Sequence, residues 1–311
     1  MRIATLAASA LMALVAPPAT TFAAPPVVGG CEVFPDGDSF NADVSSWPVN
    51  PNSASYIAEV NHSGGTFLHP DFGSNPAYGI PFIVTPFDQP LKPVIFTAYG
   101  DQSDPGPYPI PKTAPVEGGS DRHVLAVHQG ECRLYELYAA RWSRDRKAWK
   151  AASGSVFDLG EPLQGQRPDG WTSADAAGLP ILPGLVRYRE VVAGSIDHAI
   201  RVTFQRSARK YLDPATHCAA PADAPTWAMP MGMRLRLSMS DTTLNGFTGQ
   251  ARVILTAMRR YGLIMADNGS NWFFSGQTDP RWDDEDLDQL KSVPGSAFQV
   301  VDPPGAVLHS C

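Results

Sequence analysis

Thirty prolines and twenty-seven glycines run the length of the chain and interrupt nearly every periodic stretch. Proline removes a backbone donor and fixes φ, and glycine weakens helix and strand interiors, so long uninterrupted elements are excluded. What remains is a fold of many short elements joined by ordered loops. The densest such stretch, DQSDPGPYPIPKTAPVEGG at 101–119, carries Tyr108 and Ile110 and runs straight into a strand signal. It reads as a loop crossing one domain, not as a linker.

Between the interruptions, strand signals dominate. GIPFIVTP, PVIFTAYG, SGSVFDLG, LVRYREV, DHAIRVTF and MRLRLSM are short apolar runs, several with period-two alternation. DRHVLAVHQGECRLYELYAA reads as a hairpin turning at Gln129-Gly130. In MRLRLSM the alternation puts Met233, Leu235 and Leu237 on one face and Arg234 and Arg236 on a wet one. Helices are few. Ala251, Ile254, Leu255, Met258 and Tyr261 recur at helical spacing, with Arg259 and Arg260 at the negative end and Gly262 placed as the cap. WDDEDLDQLK starts with acids and ends with Lys291, and NSASYIAEV supplies about two more turns. The expected fold class is mainly β: an antiparallel β-sandwich, jelly-roll-like, with two or three peripheral helices.

Met1-Arg2 followed by an almost apolar run from Ile3 to Ala16, with small residues near Ala23, reads as a secretory signal peptide over 1–23. The run is shorter than the ~20 residues a spanning helix needs, so no membrane association is expected. Residues 24–311 then form a single β-rich domain, secreted to the periplasm or the medium. The formal charge is −7, and one unit more negative once Arg2 is removed. An acidic chain without a basic patch argues against nucleic acid as a partner. Cys31, Cys132, Cys218 and Cys311 are spaced too widely for a metal knuckle. In an oxidising compartment they are expected to pair, and Cys31–Cys132 with Cys218–Cys311 is the favoured one of three connectivities.

Several acids could carry chemistry. Glu136 shares a strand face with Cys132, Leu134 and Tyr138. A carboxylate there is either ion-paired or raised in pKa, and a raised carboxyl is what a general acid in sugar chemistry needs. Its partner would stand about 5–10 Å away, with Glu117, Asp121, Asp175 and Asp267 as candidates. Asp175 lies in RPDGWTSADAAGLPILPGLVRY, an apolar loop at 167–188 that must pack over something. Thr172-Ser173-Ala174-Asp175 also fits a capping box, which would occupy that carboxylate. Asp267 sits in LIMADNGSNWFF, where Asn-Gly between apolar runs signals a hairpin and makes Asp267 a turn residue. Trp171 and Trp272 are candidate sugar-stacking platforms beside Asp175 and Asp267.

His123 and His198 each open a β run on an apolar face, as core residues or as a base. Arg234, Arg236 or His198 could neutralise charge in a lyase. No HxH, HExxH or EF-hand loop is present, so no metal or cofactor is expected; DPRWDDEDLD reads as a helix start. No G-x-S-x-G, Walker loop or G-x-G-x-x-G occurs. Asn61-His62-Ser63 and Asn268-Gly269-Ser270 are glycosylation sequons in a host that uses them.

GWTSADAAGLPILPGLVRY, DRHVLAV…LYELYAA and YGLIMADNGSNW…DPRWDDEDL together resemble a group of secreted bacterial proteins of unassigned activity. The resemblance covers nearly the whole chain after the leader and implies export and a single domain, but no catalytic residue. Export, cystine bracing and seven tryptophans lead to an expected function. It is a glycoside hydrolase acting as a monomer on an extracellular polysaccharide through a carboxylate pair. A non-catalytic glycan- or cell-wall-binding module, and a lyase or other histidine-dependent enzyme, are the alternatives.

Overall fold

The computed structural model describes residues 24–311, so the expected signal peptide at 1–23 lies outside the described residues. The protein is mainly β, with 27% of residues in strands and 17% in helices, spread over several sheets. The largest sheet has six strands in the order Phe298–Val301, Arg234–Leu237, Leu263–Asn268, Ile200–Phe204, Phe273–Phe274 and His69–Pro70. A four-stranded sheet follows the order Ser153–Asp158, Arg133–Tyr138, Val124–His128 and Phe82–Thr85. The sheets are mixed rather than purely antiparallel. Ile200–Phe204 runs parallel to Leu263–Asn268, and Phe82–Thr85 parallel to Val124–His128. Five α-helices occur among the described residues where two or three were expected; of these, Ser53–His62 packs on Phe298–Val301 and Gly249–Arg260 on Arg234–Leu237. Asp283 caps the short helix Asp284–Asp288 by accepting from the Glu285 and Asp286 N–H groups.

Every residue of Val124–His128 is buried, because this sheet separates two cores. Leu125 and Val127 face the main core, while Val124 and Ala126 face a smaller one built on Tyr108, Ile110 and Trp149. The second core is what the proline-rich 101–119 loop covers: Trp149 Nε1 donates to the Ile110 carbonyl at 3.1 Å. The 167–188 loop lies over the main core, with Ala177, Leu179, Ile181, Leu182, Leu185 and Val186 all at 0% exposure. Its turn at Gly178 needs glycine. There φ is +75°, and a Cβ would come within 2.0 Å of Thr216 Oγ1 and 2.6 Å of the Trp171 carbonyl.

Three local expectations are corrected. LVRYREV does not continue as a strand; Tyr188–Ala193 is a helix, closed by Gly194 at φ +92°. The DNGS turn does not make a hairpin. The strands either side of it, Leu263–Asn268 and Phe273–Phe274, do not pair with each other, because Ile200–Phe204 lies between them and bonds to both. No helix starts after Thr172, so there is no capping box. Thr172 Oγ1 donates to the Asp175 carbonyl instead, and the Asp175 carboxylate is free for another partner.

Cys31–Cys132 and Cys218–Cys311 are the two disulfides, the expected pairing. The second joins positions 93 residues apart and holds the C-terminal strand Leu308–Ser310 beside Ser207–Leu212. A Cys218→Ser/Cys311→Ser double variant should lose about 2–4 kcal/mol of stability, by release of the closed loop in the unfolded chain. Denaturant unfolding of the two proteins measures it.

Candidate functional site

A pocket of about 210 Å³ opens where one edge of the four-stranded sheet meets the six-stranded one. Asp121, Asp175 and Asp267 line it, together with Tyr99, Tyr138 and His217. The strand Arg133–Tyr138 reaches it through Tyr138, the last residue of the face that also carries Leu134 and Glu136.

Asp267 arrives by a β-bulge. In the parallel pair, Ile200, Arg201 and Val202 oppose Leu263, Ile264 and Met265 in step, but Thr203 opposes Asp267, so Ala266 is skipped. Side chains alternate between faces, so this one-residue slip sends Asp267 to the Arg201 side of the sheet. Arg201 is the centre of the cluster. Its Nε and Nη2 bond the two oxygens of Asp175 at 2.9 and 2.7 Å, Nη1 bonds Ser275 Oγ, and Nη2 stands 3.7 Å from Asp267 Oδ2. Burial works against the Arg201 charge, but Asp175, Asp267 and Glu117 outweigh it and hold the guanidinium protonated.

The two aspartates are not equivalent. Asp175 is fully enclosed, and both its oxygens are engaged by Arg201. The Asp267 side chain keeps 22% of its surface open. Burial and the neighbouring Asp175 charge raise the Asp267 carboxyl well above the usual carboxylate range, and Arg201 only partly offsets them. Of the two, Asp267 is therefore the member whose hold on its proton is strengthened, and it is also the more open one. Asp121 and Asp267 both act on Tyr138, which lines the same pocket. Burial and these two carboxylates raise its phenol, which stays protonated as a donor.

His217 carried no sequence signal. Its Nδ1 lies 2.8 Å from the Ala176 carbonyl, which can only accept, so Nδ1 bears hydrogen and Nε2 is the other ring nitrogen of a residue lining the pocket. The Cys218–Cys311 bridge next to it anchors the segment.

The other residues singled out in the sequence are placed elsewhere. Glu136 is completely buried and does not line the pocket; its carboxylate accepts from the Ile181 and Leu182 N–H groups at 3.0 Å. Burial pushes it up to about 7, against the pull of those two N–H groups. It therefore ties the apolar loop to the sheet. Glu136→Gln should lower thermal stability, at about 1–3 kcal/mol for a disturbed buried acceptor, and leave turnover within about twofold of wild type. Calorimetry and activity on the same preparation check this.

His123 is buried as an ion pair. Its Nδ1 is 2.7 Å from Glu117 Oε2, and its Nε2 is 3.1 Å from the Ala174 carbonyl. Burial opposes the charge, but Glu117 outweighs it and raises the imidazole, so His123 fixes the backbone beside Asp175. His198 sits away from the pocket, bonded to Glu190 at 3.2 Å and to its neighbour's carbonyl. Trp272 is at 0% exposure, and its indole N–H goes to Asn61 Oδ1, so no ligand can stack on it. Trp171 is half-buried under Arg167 and does not line the pocket. Arg234 is buried rather than wet, donating to the Ser39 and Tyr261 carbonyls. Arg236 donates to the 44–47 segment. Neither arginine reaches the pocket.

No three His, Cys, Asp or Glu side chains among the described residues are placed so that they could hold a metal ion together. No helix there is long and apolar enough to cross a membrane. None of the family models, curated proteins or solved structures compared with the chain matches it.

Proposed function

We propose that the protein is a secreted glycoside hydrolase, built on a β-sandwich-like scaffold, with Asp267 as general acid and Asp121 as the second carboxylate. The observation that carries this reading is the position of Asp267, an enclosed acid beside Asp175 and Arg201 that still opens to the pocket. Burial and Asp175 raise its carboxyl well above the usual range, and the pocket it opens to is also lined by Asp121. Asp267 would give that proton to the glycosidic oxygen as the C1–O bond breaks. Asp121 would attack C1 or take a proton from the incoming water. Asp175 would not touch substrate; with Arg201 it sets the proton affinity of Asp267. Tyr99, 43% exposed, and Tyr138 offer aromatic surface to a sugar ring in place of Trp171 and Trp272. A carboxylate-lined pocket favours neutral or amino sugars over uronates by charge.

Against a binding-only module stands the absence of a flat aromatic strip among the residues lining this pocket. One observation favours a second reading. The fixed tautomer of His217 makes Nε2 a base, so a histidine-dependent hydrolase or lyase would use His217 with Asp267. Reducing-end release from a panel of neutral, amino and uronic glycans tests the proposal. Loss in Asp121→Asn with retention in His217→Asn supports the carboxylate pair, and the reverse supports the histidine. No release by wild-type protein from any of the glycans ends both.

A further inference from the structure

A second cavity, of about 480 Å³, shares no lining residue with the acid pocket. One wall is apolar: Val27, 61% exposed, with Val28, Phe82 and Val84. The polar part of the lining is mostly cationic, with Arg187, Arg189 and Arg281 beside Glu190 and Gln277, and comes from Arg187, the helix Tyr188–Ala193 and the 277–281 segment. The three arginines there differ in what they have left to offer.

Arg187 is buried and already engaged, with Nη1 on the Leu182 carbonyl at 2.7 Å and Nη2 on Glu190 at 2.6 Å. Burial alone would raise the Glu190 carboxyl, but Arg187 and His198 outweigh it and bring it to about 2. This pair is therefore a fixed support. Arg281 Cζ lies over the Tyr188 ring, 4.3 Å from its centroid, and its Nε and Nη2 donate to Asp279. Its Nη1 makes no bond among the described residues. The Arg189 guanidinium makes no hydrogen bond or ion pair there at all.

We propose that this cavity binds an organic monoanion with an apolar body, of the class of medium-chain carboxylates. The carboxylate would lie between the Arg189 guanidinium and Arg281 Nη1, and the chain would lie along Val27, Val84 and Phe82. Guanidinium donors match a carboxylate in geometry and charge. An inorganic anion would use the arginines and leave the valine wall wet, and a cationic amphiphile would meet uncompensated positive charge. The volume is in the range of small-molecule sites, about 300–1,000 Å³.

Calorimetric titration of the full chain with sodium decanoate tests this, with decyltrimethylammonium and inorganic phosphate as parallel probes. Saturable one-to-one binding of decanoate is expected, with affinity at least tenfold above that of either control. Arg189→Ala should weaken decanoate by about tenfold, from loss of one charge-assisted contact. Phe82→Ser should weaken decanoate and leave phosphate unchanged. Circular dichroism confirms that each variant is folded. Equal binding of the ammonium amphiphile would mean non-specific apolar uptake and overturn the proposal. So would phosphate binding as tightly as decanoate, an Arg189→Ala variant that binds like wild type, or no saturation at millimolar decanoate.

Discussion

Asp267→Asn should remove about 10²- to 10⁴-fold of turnover, the usual contribution of a positioned general acid, while leaving the protein folded. The same substitution should make the protein more stable as pH rises. In the unfolded chain this carboxyl loses its proton near the ordinary aspartate value of about 3.9. In the folded chain, burial and Asp175 hold the proton to a higher pH. Between those two values the native state binds the extra proton, so wild-type stability falls as pH increases across that window. Asparagine has no proton to lose and escapes the penalty. Melting temperatures for both proteins from pH 4 to 8 should diverge upward in favour of the variant. Wild-type activity should fall as pH passes the raised value. A melting-temperature difference that does not change with pH would mean Asp267 titrates normally, and the acid assignment would fail with it.

The largest stability effect is expected from Arg201→Met. It strands the enclosed Asp175 carboxylate beside Asp267 with no cation to balance it. Removing one partner of a buried pair costs about 3–5 kcal/mol. For a chain of this size that is roughly 10 °C in melting temperature. Replacing both partners, as in Asp175→Leu/Arg201→Met, removes the unpaired charge and should recover a large part of the loss, which a double-mutant cycle quantifies. If the single variant lost less than about 1 kcal/mol, the pair would be solvated and Asp175 would not control Asp267.

The route from sequence to site was uneven for identifiable reasons. The helix Gly249–Arg260, its cap at Gly262 and the alternation in Arg234–Leu237 follow from residue spacing and were legible. Asp175 and Asp267 were legible as candidates because each stands in an unusual local setting. Their association was not, since it depends on Arg201, which has no local signal in DHAIRVTF. The alternate face of that strand reads as wet on period-two reasoning, yet Arg201 is 5% exposed because both faces of the sheet are covered. Arg234 misleads in the same way. Glu136 looked like the general acid because an acid on an apolar strand face must be compensated. The compensation comes from two backbone N–H groups forty-five and forty-six residues away, which no side-chain pattern encodes.

The sequence by itself determined the β-rich class, the helix at 249–260 and that the four cysteines pair, because turn residues, periodicity and an even cysteine count act locally; which cysteines meet was decided by the fold. Only the tertiary structure decided which acids meet. A single skipped residue, Ala266, turns Asp267 to the face of Arg201 and Asp175. Strand register is settled by packing across the whole sheet, and local sequence does not specify it.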